Sequence, residues 1–382
     1  MIKMFCAHTE EIDDVNLAVD ELMSQLPMDQ LLLRSVGIVT CYNEFIFTGV
    51  ITALAQRLPF ELIGCTTMAG GSAGACGDML LCLAVLTADD VAFACAISDP
   101  IAEGNPAPLQ GAYRRAAETL GEAPKLLLSF LPMLPYAGGE VMMRALDEVS
   151  GGVPSFGMIA CDKDLGMTAS YTLLGGENHR DAAALLLIAG DIDPQFFVAA
   201  ISDEMIQKQR ATITDARGNQ LRRVNGTLVT DYLTAMGLDI SGPANTIGVM
   251  PLVLDYNDGT PPALRSIYAF TPEGYAQCGG DMPQGATLSI GLLSPTDILQ
   301  TTARAVRDAL ATGKRGGLLC MPCLSRLLGL GVDAFEEMQR VSELAISVPY
   351  LLAYSAGELC PLYGERGAVN RFHNFSFVAC VF

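Results

Sequence analysis

The chain has 382 residues, of which 51% are hydrophobic and 17% charged, and its formal net charge is −19. That length can bury more than one core, and that composition is globular rather than disordered. The acidic balance repels phosphate backbones, and no apolar run approaches the roughly 18 residues that span a bilayer, so neither nucleic-acid binding nor a membrane span is expected.

The N-terminus "MIKMFCAHTEEIDD" turns acidic too early for a signal peptide. A first helix is predicted over "TEEIDDVNLAVDELMSQL", capped at Thr9, with Ile12, Val15, Val19, Leu22 and Leu26 on one face. Residues 35–43 then read as a strand, 44–57 as a helix, 58–67 as a strand opened by Pro59, and 78–88 as a strand after a Gly-rich loop. The same order recurs as strand 125–133, helix 138–151, strand 153–162 opened by Pro154, and strand 181–191. It recurs again as strand 316–323, helix 331–345, strand 348–358 opened by Pro349, and strand 374–382. Proline suits a strand's first residue, where a missing donor costs least. Between the second and third copies lies different material. Strands flank a turn at "RGN", a helix runs from Thr227 to Gly237, hairpin-like pieces cover 246–256, 264–271 and 285–293, and a helix covers 296–313.

Strand–helix–strand order favours parallel pairs with right-handed crossovers, and near-continuous apolar runs favour strands covered on both faces. The expected class is therefore α/β: repeated strand–helix–strand–strand units in two domains, residues 1–200 and 201–382, with mixed sheets covered by helices. The twelve cysteines mostly sit inside apolar runs, as Cys82, Cys95 and Cys380 do, and are expected to be free thiols in a reducing cytoplasm.

The three second strands end in "GCTT", "MIACD" and "YSAGE", and ligands of open α/β sheets bind outside such ends. Cys65 is there either a nucleophile or a small buried residue in a tight turn. Nothing in the sequence ties His8, His179 or His373 to it. Thr66 and Thr67 can hydrogen-bond a ligand beside backbone opened by Gly64, Gly70 and Gly71. Cys320 and Cys323 have redox-motif spacing, but Pro59 and Pro154 take the place of Pro349 in units with no such pair. The proline therefore belongs to the repeat. Zinc lacks a second ligand pair, and no metal or cofactor is expected. Arg326 either clamps a carboxylate or is structural. Glu358, after Gly357, either holds an amino group or pairs within its loop. His373 and Asn374 either close a pocket or cap a loop, and Asp162, Asp164 and Thr168 occupy the matching loop of the second unit.

Several of these segments resemble the FIST family of sensory proteins. "LIGCTTMAGG" is similar to its N-domain signature, "ATITDARGNQLRRVNGTLVTDYL" to the start of its C-domain, and "CMPCLSRLLGLG" to its Cys-x-x-Arg segment. "YSAGELCPLYG" and "RFHNFSFVACVF" resemble its closing Gly-Glu and His-Asn pair. Gly70-Gly71 stands where the first motif usually continues Gly-Glu, and Ser376 replaces the usual Thr. The resemblance implies a cytoplasmic, non-enzymatic sensor of small ligands such as amino acids, which signals through a separate output protein. The implied ligand residues are Gly64, Cys65, Thr66, Thr67, Arg326, Gly357, Glu358, His373 and Asn374. An acid, an Arg and neutral polar groups together suit a zwitterion. The alternatives are an acyl transferase or hydrolase using Cys65, and a non-catalytic scaffold.

Overall fold

A computed structural model of the chain describes residues 2–135, 137–164, 168–240, 250–364 and 367–382. The first unit runs β1 (Lys3–Thr9), α1 (Val15–Gln25), β2 (Arg34–Cys41), α2 (Glu44–Phe47), α3 (Val50–Arg57), β3 (Leu62–Thr66), the short pair β4 (Gly70–Ser72) and β5 (Ala75–Gly77), and β6 (Leu81–Ala88). The second repeats this order as β7 (Val91–Ile97), α4 (Ala107–Leu120), β8 (Leu126–Leu131), α5 (Gly139–Ser150), β9 (Ser155–Ile159), β10 (Thr172–Leu174), β11 (Glu177–His179) and β12 (Ala184–Gly190).

The third unit opens with β13 (Gln195–Ala199) and is then interrupted. The insert contains β14 (Ala211–Arg217), β15 (Gln220–Val224), β16 (Thr227–Leu228), α6 (Val229–Ala235), β17 (Leu252–Asp255), β18 (Ala263–Arg265), β19 (Ile267–Phe270), β20 (Ala276–Cys278) and β21 (Thr287–Ile290). The unit resumes with α7 (Pro295–Ala311), β22 (Leu318–Pro322), α8 (Leu324–Leu330), α9 (Glu336–Leu344), β23 (Tyr350–Ala353), β24 (Glu358–Gly364), β25 (Gly367–His373) and β26 (Phe377–Val381).

In each unit the first strand pairs with the last, the last with the second, and the second with the third in parallel: β1-β6-β2-β3, β7-β12-β8-β9 and β13-β26-β22-β23. The hairpins are exchanged. The first unit's β4–β5 pairs with β23, the second unit's β10–β11 with β3, and the third unit's β24–β25 with β9. Each sheet is thus completed by another unit, around a closed cycle.

The alternation within each strand explains the layering. In β6, Cys82, Ala84 and Leu86 face the central core, while Leu81, Leu83 and Val85 face a core under α1 and α3. In β26, Val378 and Cys380 join the same central core, while Phe377, Ala379 and Val381 lie in the core that holds Val306 of α7 and Val341 of α9. Strands buried on both faces give the continuous apolar runs of the sequence. The helices are amphipathic: α4 buries Leu109, Ala112, Tyr113, Ala116 and Leu120, and ends at Gly121 with φ 71°.

The expected order of elements is present, with corrections. α1 starts six residues beyond Thr9, because Asp14 caps it by accepting from the Asn16 and Leu17 amides. Thr9 is the last residue of β1, and its hydroxyl donates to Glu21. The helix expected over 44–57 is broken at Gly49, whose φ is 90°. The strand expected over 348–358 stops at Ala353, and Glu358 starts a different strand in another sheet. Residues 246–249, at the head of an expected hairpin piece, lie outside the described residues.

Gly64 is fixed by strand packing: a Cβ there would sit 1.7 Å from the Val39 carbonyl oxygen, while one at Gly77 would meet nothing within 4 Å. Gly157 is the same position in the second unit, where a Cβ would lie 2.1 Å from the Ser129 oxygen. Gly64→Ala is expected to destabilise by at least about 3 kcal/mol in urea melts, with Gly77→Ala changing little.

Candidate functional site

The ends of β3, β9 and β23 meet where the three units join. The amides of Thr67, Ala160 and Ser355 donate to Cys41, Leu131 and Pro322 of their own units at 2.9, 2.9 and 2.8 Å. Between units, the amides of Thr66, Ile159 and Tyr354 donate to Tyr171, Gly357 and Ala69 at 2.9, 2.9 and 3.0 Å. The carbonyls answer in the same cycle. Thr66 accepts from the Cys161 amide at 3.2 Å, Ile159 from the Ala356 amide at 3.1 Å, and Tyr354 from the Thr67 hydroxyl at 2.7 Å. Glu358, Thr172 and Gly70 are therefore equivalent positions, paired with Met158, Cys65 and Ala353.

This junction gathers most of the expected ligand residues but closes over them. Cys65 is buried in the central core. Burial pushes its thiol well above 9.0, the neighbouring thiols Cys161 and Cys41 add to the effect, and the group stays protonated. Thr66 accepts from the Tyr171 amide at 2.9 Å. Thr67 is held between the Tyr354 and Ala69 carbonyls. Gly357 serves packing, because a Cβ there would meet the Phe372 ring at 2.3 Å. Phe372 is also pressed by Gly139, where a Cβ would come within 2.2 Å of the ring.

Arg326 is not available as a carboxylate clamp, because its guanidinium is spent internally. Nε donates to Glu337 at 2.8 Å, Nη1 to the Ala200 and Phe375 carbonyls at 3.1 and 3.2 Å, and Nη2 to the Ile298 carbonyl at 2.9 Å and Thr302 at 2.8 Å. Glu337, fully buried, also accepts from Thr302 and from the Tyr354 hydroxyl, the latter at 2.7 Å. Ala200 and Ile298 stand at the two stems of the insert, so one side chain ties both stems to the junction. Asn374 ties it too, with Oδ1 accepting from the Ser266 amide at 3.4 Å.

Glu358 is different. It is fully buried, and among the described residues neither carboxyl oxygen has a hydrogen-bond partner. Burial raises its pKa well above 4.5, with Cys323, Arg326, the Ser376 amide and Ser355 opposing more weakly. The Ser355 hydroxyl donates to the Gly357 carbonyl at 2.5 Å. Across the hairpin, His373 places Nε2 3.0 Å from the Cys360 oxygen, and burial lowers its pKa to about 4. In the second unit's loop, Asp162 accepts from the Ala169 amide at 2.6 Å while its other oxygen has no partner among the described residues, and Thr168 donates to Asp164 at 2.8 Å. Cys320 and Cys323 are free, buried and shifted up by burial.

Sequence reasoning missed the second anchor of the insert. Arg265, buried, donates to Glu140 at 2.6 Å, to the Tyr256 hydroxyl at 2.5 Å and to the Phe372 carbonyl at 3.0 Å. The Asp281 amide donates to Glu140 at 3.1 Å, and the Asp281 carboxylate pairs with Arg144 at 2.5 Å. The signal was "CGGDMP": Cβ atoms at Gly279 and Gly280 would lie 2.5 Å from Asn374 Oδ1 and 2.7 Å from Arg265 Nε. A cleft of about 400 Å³ opens beside this anchor, and another of about 580 Å³ lies by His8, Glu10, Glu11 and Glu21. Neither is lined by an expected ligand residue. Among the described residues no group of three or more His, Cys, Asp or Glu is placed to hold a metal, and no helix is long and apolar enough to cross a membrane.

Family models match along the chain, the FIST N domain over residues 35–227 and the FIST C domain over 228–361. No curated relative matches. Among solved structures, that of cyanuric acid hydrolase from A. caulinodans aligns over 100% of this chain and 99% of its own, at 10% identity and a TM-score of 0.39, too low to carry an argument.

Two outcomes follow from the buried charges. Arg326→Met leaves Glu337 unpaired and is expected to destabilise by about 3–5 kcal/mol, with faster hydrogen exchange at the insert stems near Ala200 and Ile298. Glu358 has a folded pKa above its unfolded one. Its contribution is whole below about pH 4.5 and is lost as pH rises toward the folded pKa. The stability of Glu358→Gln relative to the natural chain should thus climb as pH rises above about 4.5 toward the folded pKa, by up to about 1.4 kcal/mol per unit. His373, with its folded pKa lowered to about 4, acts oppositely: its contribution is whole above 6.5 and is lost as pH falls from 6.5 toward 4. Denaturant melts across pH separate the two limbs, and His373→Asn should flatten only the acid one.

Proposed function

Because the chain belongs to the FIST family, whose domains are associated with sensory signal transduction and small-ligand binding, we propose that it is a non-catalytic sensor of a small amine-bearing ligand, an amino acid or related zwitterion. The observation that carries this reading is Glu358, a buried carboxyl group whose two oxygens are left without donors where the three units meet. An unpaired polar group of this kind is costly, and an ammonium group would satisfy it. With Arg326 committed, the ligand's carboxylate falls to strand-end amides that are paired at rest and are freed only as the junction parts.

Glu358 has no exposure, so occupancy requires the junction to part. Arg326 links that movement to both stems of the insert, which a separate output protein would read. The twelve free cysteines fit a reducing cytoplasm, where we place the protein. The Cys65 enzyme reading gains nothing from a thiol kept protonated in the core.

A panel of amino acids and simple amines in thermal-shift assays tests the proposal. At about 100 times its dissociation constant a true ligand stabilises by about 2.7 kcal/mol, or about 3 °C for a chain of this size. Glu358→Gln should abolish the shift. A panel that shifts nothing in the natural chain would sink the reading.

A further inference from the structure

Among the described residues, no group facing Glu358 forms a hydrogen bond with either carboxyl oxygen or offers it an uncommitted counter-charge. Arg326 in α8 is the cation whose charge acts on Glu358, and its N–H groups are committed to Glu337, three backbone carbonyls and two threonines. His373, across in β25, is neutral and is held by the Cys360 carbonyl. Cys323 before α8, Cys161 after β9 and Cys360 in β24 supply only buried thiols. The Ser355 proton goes to Gly357. An ionised carboxylate here would be shut away from solvent with only the Cys323 thiol, the Ser376 amide and the Ser355 hydroxyl nearby, none hydrogen-bonded to it, a state that proteins relieve by protonation.

We propose that the unliganded protein holds Glu358 as a neutral carboxylic acid, and that the ligand's ammonium group enters in exchange for its proton. The exchange balances without a covalent step. The O–H bond of Glu358 breaks, the proton passes to solvent, and the carboxylate that remains pairs with the incoming R–NH₃⁺, one proton released per ligand bound. The ligand half rests on the sensor reading above. The protonation half rests on the structure of this chain alone. Where the amine is already protonated in solution and Glu358 is still neutral in the free protein, the dissociation constant should fall tenfold for each pH unit gained.

The test is infrared difference spectroscopy of the full chain at pH 7, with methylammonium and glycine as probes. The natural chain should show a protonated-carboxyl band that Glu358→Gln lacks and that saturating probe bleaches. Glu358→Asp keeps an acid at the position and should keep a displaced band, which guards against a Gln variant that folds poorly. A natural chain with no such band overturns the proposal, as does a band that neither probe moves. A thermal shift that persists while the band stays unmoved would reject the exchange and leave the sensor reading standing. Where a probe does bind, calorimetry in two buffers of different ionisation enthalpy should give one proton released, and a value of zero rejects the exchange.

Discussion

No unit of this fold closes its own sheet. The outer edges of β3, β9 and β23 would each present a row of unpaired amide and carbonyl groups, and each is covered by a hairpin sent from another unit. The cycle of three exchanges makes the units mutually dependent. It also forces the three strand ends into hydrogen-bonding distance, so the junction is a consequence of the edge problem rather than an added feature. The peptide groups there are paired across unit boundaries at 2.9 to 3.2 Å. That leaves little polar capacity uncommitted, and Glu358 stands out against it.

The insert is attached by the same logic of saturated groups. Arg326 and Arg265 are both fully buried, and each spreads its donors over several acceptors drawn from different elements. Such pairs add little net stability over a well-packed apolar core. What they do provide is position: a guanidinium with every donor engaged admits one seating of the insert stems against α7, α8 and the junction. The Glu337 carboxylate carries the connection onward to the Tyr354 hydroxyl, and the Tyr354 carbonyl belongs to the junction itself.

Much of the architecture was legible in the sequence because its signals are local. Apolar runs that begin at Pro59, Pro154 and Pro349 mark β3, β9 and β23, and helical spacing marks what precedes them. The exchanged hairpins were not legible. β4 and β5 read "GGS" and "ACG", three residues each with no apolar alternation, and their partner β23 lies most of the chain away. Thr9 imitates a helix cap until Asp14, nearer the helix, takes the amides. Arg326 shows why a motif cannot assign a role. The sequence places it after a strand end, but only the fold shows that Glu337, on the next helix, consumes its charge. Glu358 was visible as an acid at the end of an apolar strand, and its lack of partners was not.

The three equivalent rim positions hold Gly70, Thr172 and Glu358. The backbone frame is repeated, but the acid is present once, and Thr172 spends its hydroxyl on the Ala182 carbonyl at 2.6 Å. The scaffold could have offered three identical subsites, yet only one of the three positions holds an ionisable side chain. Under the proposed reading one acid per chain receives one ammonium group per chain, and a dose–response built on it is hyperbolic unless chains associate.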